Sequence, residues 1–178
     1  MTSRLSQISL LVLIIATILW LGGINIRAMV GSALLTPWTL DFKPNIHPYV
    51  ERTVFGIISK SSMVVNIAYL IVWISASIFL RASDLKFKEH GWLMMSAILF
   101  YLFTPVEIYT IVLDARMWHL DYIGSNDLVE FRKLFIHRLA ALKGVPMIGL
   151  LCYYTIIGLV LFRPFHRIQS QKASEIPT

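Results

Sequence analysis

Six ionisable residues lie inside or at the ends of apolar stretches, where charge is costly: Arg27, Lys60, Glu107, Asp114, His137 and Lys143. A charged side chain at mid-helix costs about 2.5–3.5 kcal/mol on insertion scales, and such groups usually face a bundle interior or water. Counted from the end of each stretch nearer the chain termini, Arg27, Lys60 and Lys143 all fall roughly 28–30 Å along their helices, so three cations from three helices share one level. Glu107 lies at about 22 Å, a turn deeper, and Asp114 follows it at i+7 on nearly the same face. His137 stands further out, on the segment that enters the last stretch. Two chemistries fit this charged mouth. In one, Arg27, Lys60 and Lys143 flank Glu107 in a polar pocket that holds an anionic headgroup or passes a proton or ion. In the other, the cations snorkel to phosphates while Glu107 pairs with one of them to hold the helices together.

Other chemistries have thinner support. Met117 and His119 form a Met-x-His pair which, with His137 and with Met29, Met63 and Met147 on the same half, makes a soft-ligand set suited to monovalent copper. Methionine in membrane helices more often packs. The five histidines lie in loops or near span ends, so no pair is placed to ligate a haem iron, and Cys152, the single cysteine, has no base near it in sequence. One cysteine makes neither an intramolecular disulfide nor a thiolate cluster. We therefore expect a non-enzymatic protein with no cofactor.

The elements that must position these residues are four apolar stretches, about 8–35, 54–80, 91–113 and 144–162. About 20 mostly apolar residues cross a hydrocarbon core of about 30 Å, and each stretch reaches that length or nearly so. The 178 residues are 57% hydrophobic and 15% charged, with a mean hydropathy of +0.69. The expected fold is an all-α integral membrane protein: one domain over residues 1–178, a four-transmembrane-helix antiparallel bundle in the lipid bilayer. The start, Met-Thr-Ser-Arg before an apolar run, reads as a signal anchor. The formal charge of +6 comes from sixteen Lys and Arg dispersed around span ends, which fits lipid headgroups and excludes nucleic acid.

Between the stretches, Trp38 to Glu51 carries Pro37, Pro44 and Pro48 on or beside it and reads as a surface loop. The short link Arg81 to His90 predicts a helical hairpin of spans two and three. Pro105 predicts a kink in span three, two residues before Glu107. The chain turns polar from Asp114 to Asn126, with a turn at Gly124-Ser125-Asn126. Asp127 then caps a helix with Glu130 at its N3 position. That helix places Leu128, Phe131, Leu134, Phe135, Leu139 and Leu142 on one side and Arg132, Lys133 and Arg138 on others, the pattern of an interfacial amphipathic helix before the last span. Gly144 and Pro146 leave open whether it runs into that span bent or broken. The tail after Phe162 is expected to be mobile.

Four spans put both termini and the Arg81–His90 link on one side. That side holds seven basic residues over about 34 positions, against nine over about 68 on the other, so density places both termini in the cytoplasm, at the cell inner membrane. Glycines 22, 23 and 31, and 144, 149 and 158, permit close helix approach.

Two segments carry a family resemblance. Leu19-Trp20-Leu21-Gly22-Gly23, at the end of an apolar run, resembles the first span of a family of small four-span membrane proteins of unknown function that includes the cisplatin-resistance-associated transmembrane protein. Its Trp-x-Gly-Gly pattern is also similar to that of the copper-resistance D family. Phe131-Arg132-Lys133-Leu134-Phe135-Ile136-His137-Arg138 looks like the Phe-x-x-x-His stretch before that family's last span. The long Pro-rich first loop and Lys60 depart from the pattern. The resemblance implies a four-helix membrane bundle, interest in His137 and a link to metal handling; it implies no reaction. Two functions follow as expectations: an accessory or structural subunit of a larger membrane complex, with a membrane-protein partner or a homo-oligomer, or a small-solute or copper-like transport or resistance protein with a polar pocket around Glu107.

Overall fold

The structure, a computed structural model, describes residues 4–37, 39–83, 85, 87, 89–124 and 127–164. The expected turn at Ser125-Asn126, the basic residues Lys86, Lys88, Arg167 and Lys172, and the tail expected to be mobile lie outside the described residues, apart from Arg163 and Pro164. Described segments are helical with no strand: α1 (Arg4–Ser32), α2 (Pro48–Ala82), α3 (Gly91–Leu102), α4 (Thr104–Tyr122), α5 (Leu128–Leu139), a 3-10 turn (Ala141–Gly144) and α6 (Val145–Phe162). Four helical stretches are long and apolar enough to cross a membrane: Arg4–Ser32, Pro48–Ala82, Gly91–Tyr122 and Leu128–Phe162.

Several boundaries differ from the sequence expectation, each for a local reason. The first helix stops at Ser32 rather than near Leu35, because Ala33, Leu34 and Leu35 turn on i−3 hydrogen bonds and Leu35 then bridges to Phe42. Pro48 does not lie in a loop; it opens α2, where its missing N–H is harmless, and the His47 ring accepts a hydrogen bond from the Tyr49 N–H at 3.3 Å. The expected kink is a break at Phe103, since Pro105 cannot donate to the carbonyl four residues earlier. Beyond it α4 runs through the polar segment to Tyr122, eight residues past Asp114. Asp127 caps α5 as expected, its Oδ1 accepting from the Val129 N–H at 2.8 Å. Between α5 and α6 the helix is broken: Leu142 and Lys143 take left-handed φ of 51° and 53°, and Gly144 follows at 89°.

Packing groups the chain into two compact units, Met1–Ser83 with Ile108–Lys143, and Asp84–Glu107 with Gly144–Thr178. In the first, α1 and α2 pack along their lengths. The buried positions of α2, Glu51, Phe55, Ile58, Ser62, Val65, Tyr69 and Val72, alternate four and three apart, which is the spacing of a helix seam. Trp20 meets Tyr69 with ring centroids 5.0 Å apart. A methyl group on Gly23 would stand 2.6 Å from Val65 Cγ2, so this close approach requires glycine. At the loop end of the pair, Leu34, Phe55, Ile58, Met117, Leu120, Phe131 and Phe135 form a buried cluster, on which Phe42 and Ile46 from the Pro-rich segment also pack.

The second unit pairs α3 with α6. Phe100 and Phe103 lie against Tyr153, each with centroids 6.2 Å away, and Gly149 approaches the Phe103 ring. The Arg163 guanidinium lies 5.7 Å over the Trp92 ring. Apolar side chains such as Leu11, Ile15 and Ile18 of α1 and Leu151 and Leu161 of α6 are exposed, as expected of helices surrounded by hydrocarbon.

Candidate functional site

The charged residues of the first unit form a network that links four helices. Arg27 on α1 is buried, and its Nη1 donates to Asp114 Oδ2 on α4 at 2.8 Å, with only 6% and 1% of the two side chains exposed. Arg138 on α5 donates to the same carboxylate, through Nε to Oδ1 and through Nη2 to Oδ2 at 3.4 Å. One turn or two nearer the loop end, Arg52 on α2 donates to Asp121 on α4 at 2.5 Å. Arg132 on α5 grips Glu51 on α2 bidentately, at 2.5 and 2.6 Å. Each carboxylate is almost wholly buried, and each meets a guanidinium whose planar fork suits it.

Aromatic rings complete the frame. Phe55 stacks on Phe131 at 5.4 Å, and Phe135 meets Phe55 edge-on at 5.6 Å. Arg52 lies 4.9 Å over the Phe131 ring and Arg132 lies 5.2 Å over Phe42, so the cations that hold the carboxylates also face aromatic quadrupoles. α5 therefore packs Phe131 and Phe135 inward while two of its arginines reach carboxylates of α2 and α4. The sequence placed Arg132 and Arg138 on sides of α5 other than its apolar face; both reach carboxylates of neighbouring helices, Arg132 while still exposed.

Of the six residues singled out by sequence, Arg27, Lys60, Asp114, His137 and Lys143 belong to the first unit and Glu107 to the second. Arg27 takes Asp114; Lys60 on α2 and Lys143 in the turn before α6 are exposed. Glu107 belongs to the second unit, half-buried just after the Phe103 break, and accepts a hydrogen bond from the Tyr153 hydroxyl at 3.1 Å. His137 is exposed, its Nε2 3.0 Å from the Tyr109 hydroxyl. The soft-ligand pair is separated: Met117 is buried in the aromatic cluster and His119 is exposed, because residues two apart on a helix point to different sides. Among the described residues no three His, Cys, Asp or Glu side chains come together as a metal site.

Sequence reasoning missed Glu51, Arg52, Asp121, Tyr109 and Tyr153 as participants, and did not foresee the carboxylate partners of Arg132 and Arg138. One signal was present: Asp121 follows Asp114 by seven residues, as Asp114 follows Glu107, which is an acidic stripe on one helix face. Compared with known proteins, the chain matches no family model, no curated protein and no solved structure.

Proposed function

We propose that this protein is a non-enzymatic, multi-pass membrane scaffold, an accessory or structural subunit whose four spans form an antiparallel bundle and whose apolar outer faces meet lipid and a membrane-protein partner or further copies of itself. The observation that carries this reading is the deployment of charge: Asp114, Asp121 and Glu51 each engage an arginine from another helix, tying α1, α2, α4 and α5 together. Charges used this way fix which helices neighbour one another and in what register, at the expense of being unavailable to a passing solute. In the bilayer, α5 lies near the interface before the last span. The denser basic residues on the side of the termini favour a cytoplasmic location for both.

The test is purification of tagged protein in gentle detergent, with mass spectrometry of co-eluting proteins and elemental analysis of the same fraction. A stoichiometric membrane-protein partner or a defined homo-oligomer is the expected result. A monodisperse monomer carrying copper would overturn it.

A second reading, a small-solute or metal-ion transport or resistance protein, draws on one specific observation: Glu107 sits a turn beyond a break in an apolar helix and accepts a hydrogen bond from the Tyr153 hydroxyl. The resemblance of the Trp20–Gly23 and Phe131–Arg138 segments to families linked with metal resistance favours metal as the solute. Under that reading Glu107→Gln abolishes resistance or uptake while leaving folded protein intact.

A further inference from the structure

One face of α2 carries an exposed ridge. Ile57, Lys60, Val64, Ile67, Ile71 and Ile74 follow one another three or four residues apart, the spacing of a single helix face, and all are exposed. Apolar hollows flank this ridge. One of about 190 Å³ lies towards α1, where Ala16 and Leu19 stand across from Val64, Ile67, Ala68 and Ile71. Another of about 210 Å³ lies towards α4, where Ala115 and Trp118 stand across from Met63 and Ile67. Ile67 borders both, so the surface is a raised row of side chains with a groove on either side. A second helix packs on such relief by setting ridges into grooves.

Lys60 is the polar exception on the ridge, with Ile57 exposed to one side of it and Val64 to the other. From Pro48, the first residue of α2, to Lys60 is about 18 Å of helical rise, and Val50 is exposed along the way. Apolar surface therefore flanks the ammonium in both directions. Arg27 has the carboxylate of Asp114, but among the described residues no carboxylate pairs with Lys60. An ionisable group on an apolar membrane face calls for a counter-charge. A second copy of this chain does not supply it. Two copies share one orientation in a bilayer, so pairing through this face about an axis along the membrane normal would set the two Lys60 ammonium groups against each other. Like charges at a contact work against that pairing, whereas a carboxylate on a different helix is matched to it.

We propose that this ridge docks a membrane-spanning helix of a different protein, one that carries an Asp or Glu at the level of Lys60 and apolar side chains that fill the two grooves. The proposal rests on the subunit reading above and narrows it to an acidic helix of another chain. In the complex the Lys60 ammonium donates to the partner's carboxylate, and apolar side chains one and two turns away lie beside Val64, Ile67 and Ile71. The charge pair sets the depth and register of the partner. The grooves supply the contact area.

The experiment measures energy transfer between the labelled full chain and synthetic helices in phosphatidylcholine vesicles. The helices are membrane-spanning Leu/Ala peptides, identical except at one position a turn inside the interface, which is Glu, Gln or Lys. The Glu peptide should associate about tenfold more tightly than the Gln peptide, the lower end for a hydrogen bond to a charged group, and the Lys peptide least. Lys60→Gln should remove the preference, and Lys60→Glu should reverse it towards the Lys peptide. Lys133→Gln, at an exposed lysine of α5, should leave it intact. Ile67→Trp, whose bulk obstructs both hollows, should weaken all three peptides alike. Equal binding of the Glu and Gln peptides overturns the proposal and would mean that Lys60 pairs with lipid phosphate; a preference that survives Lys60→Gln, or binding untouched by Ile67→Trp, overturns it too. Lys60 and Ile67 are exposed, so their variants keep the packing of the first unit. A stoichiometric partner that still co-purifies with Lys60→Glu overturns this face and leaves the subunit reading standing, whereas a copper-loaded monomer overturns that reading itself.

Discussion

The two compact units treat a carboxylate within an apolar helix differently. In the first, Asp114 lies between two guanidinium groups, and Glu51 and Asp121 each meet another. In the second, Glu107 takes the hydroxyl of Tyr153. A guanidinium brings a full charge to the carboxylate anion and orients it through a planar fork, whereas a neutral phenol can donate to an anion, a neutral acid or an amide, most strongly to the anion. The first arrangement commits the side chain to one charge state and one set of neighbours. The second includes a neutral hydroxyl and lies just beyond a helix break.

The largest effect should come from Asp114→Asn, which leaves Arg27 buried beside a neutral amide. Removing one member of a buried pair costs about 3–5 kcal/mol, and mixed-micelle unfolding of the variant should show a loss of that size; a change near zero would remove the basis for calling the network structural. Next, Gly23→Ala should destabilise by about 1–3 kcal/mol through overpacking against Val65. Gly22→Ala, with open space around its Cβ, should be neutral or slightly stabilising in the same assay. In the second unit, Gly149→Ala meets the Phe103 ring at 3.0 Å and should cost less than Gly23→Ala, whose contact is 2.6 Å.

Arg132→Gln should follow. Glu51 loses a bidentate partner, but 46% of the Arg132 side chain is exposed, and screening reduces the loss to about 1–2 kcal/mol. Amide exchange should accelerate selectively along α5, while uniform acceleration would mean α5 is not held by this pair. The smallest change is expected for Glu107→Gln, whose amide oxygen can still accept from Tyr153, so stability should shift by less than about 1 kcal/mol. A loss as large as that of Asp114→Asn would erase the distinction between the two units.

The sequence made the apolar helices plain because periodicity and length need no knowledge of neighbours. Asp127 as a cap and Pro105 as an interruption were legible for the same reason: each acts through its own backbone. The ion pairs were not. Depth counting placed Arg27, Lys60 and Lys143 at one level, but helical rise says nothing about rotation around an axis, and only Arg27 turns out to be buried. Arg132 and Arg138 give the same amphipathic pattern whether they meet phosphates or carboxylates. The polar run from Asp114 to Asn126 looked like a departure from helix because arginine partners from three other helices, which make Asp114 and Asp121 tolerable inside one, lie far away in the sequence.

Three successive left-handed residues, Leu142, Lys143 and Gly144, separate α5 from α6. A continuous helix transmits rotational phase at 100° per residue, so a residue inserted anywhere would swing every later side chain to a new face. The left-handed turn resets that phase. The placement of Phe131, Arg132 and Arg138 on α5 is therefore independent of the face pattern of the last span, and α6 can gain, lose or exchange residues to suit a bilayer of different thickness without disturbing α5's grip on Glu51 and Asp114.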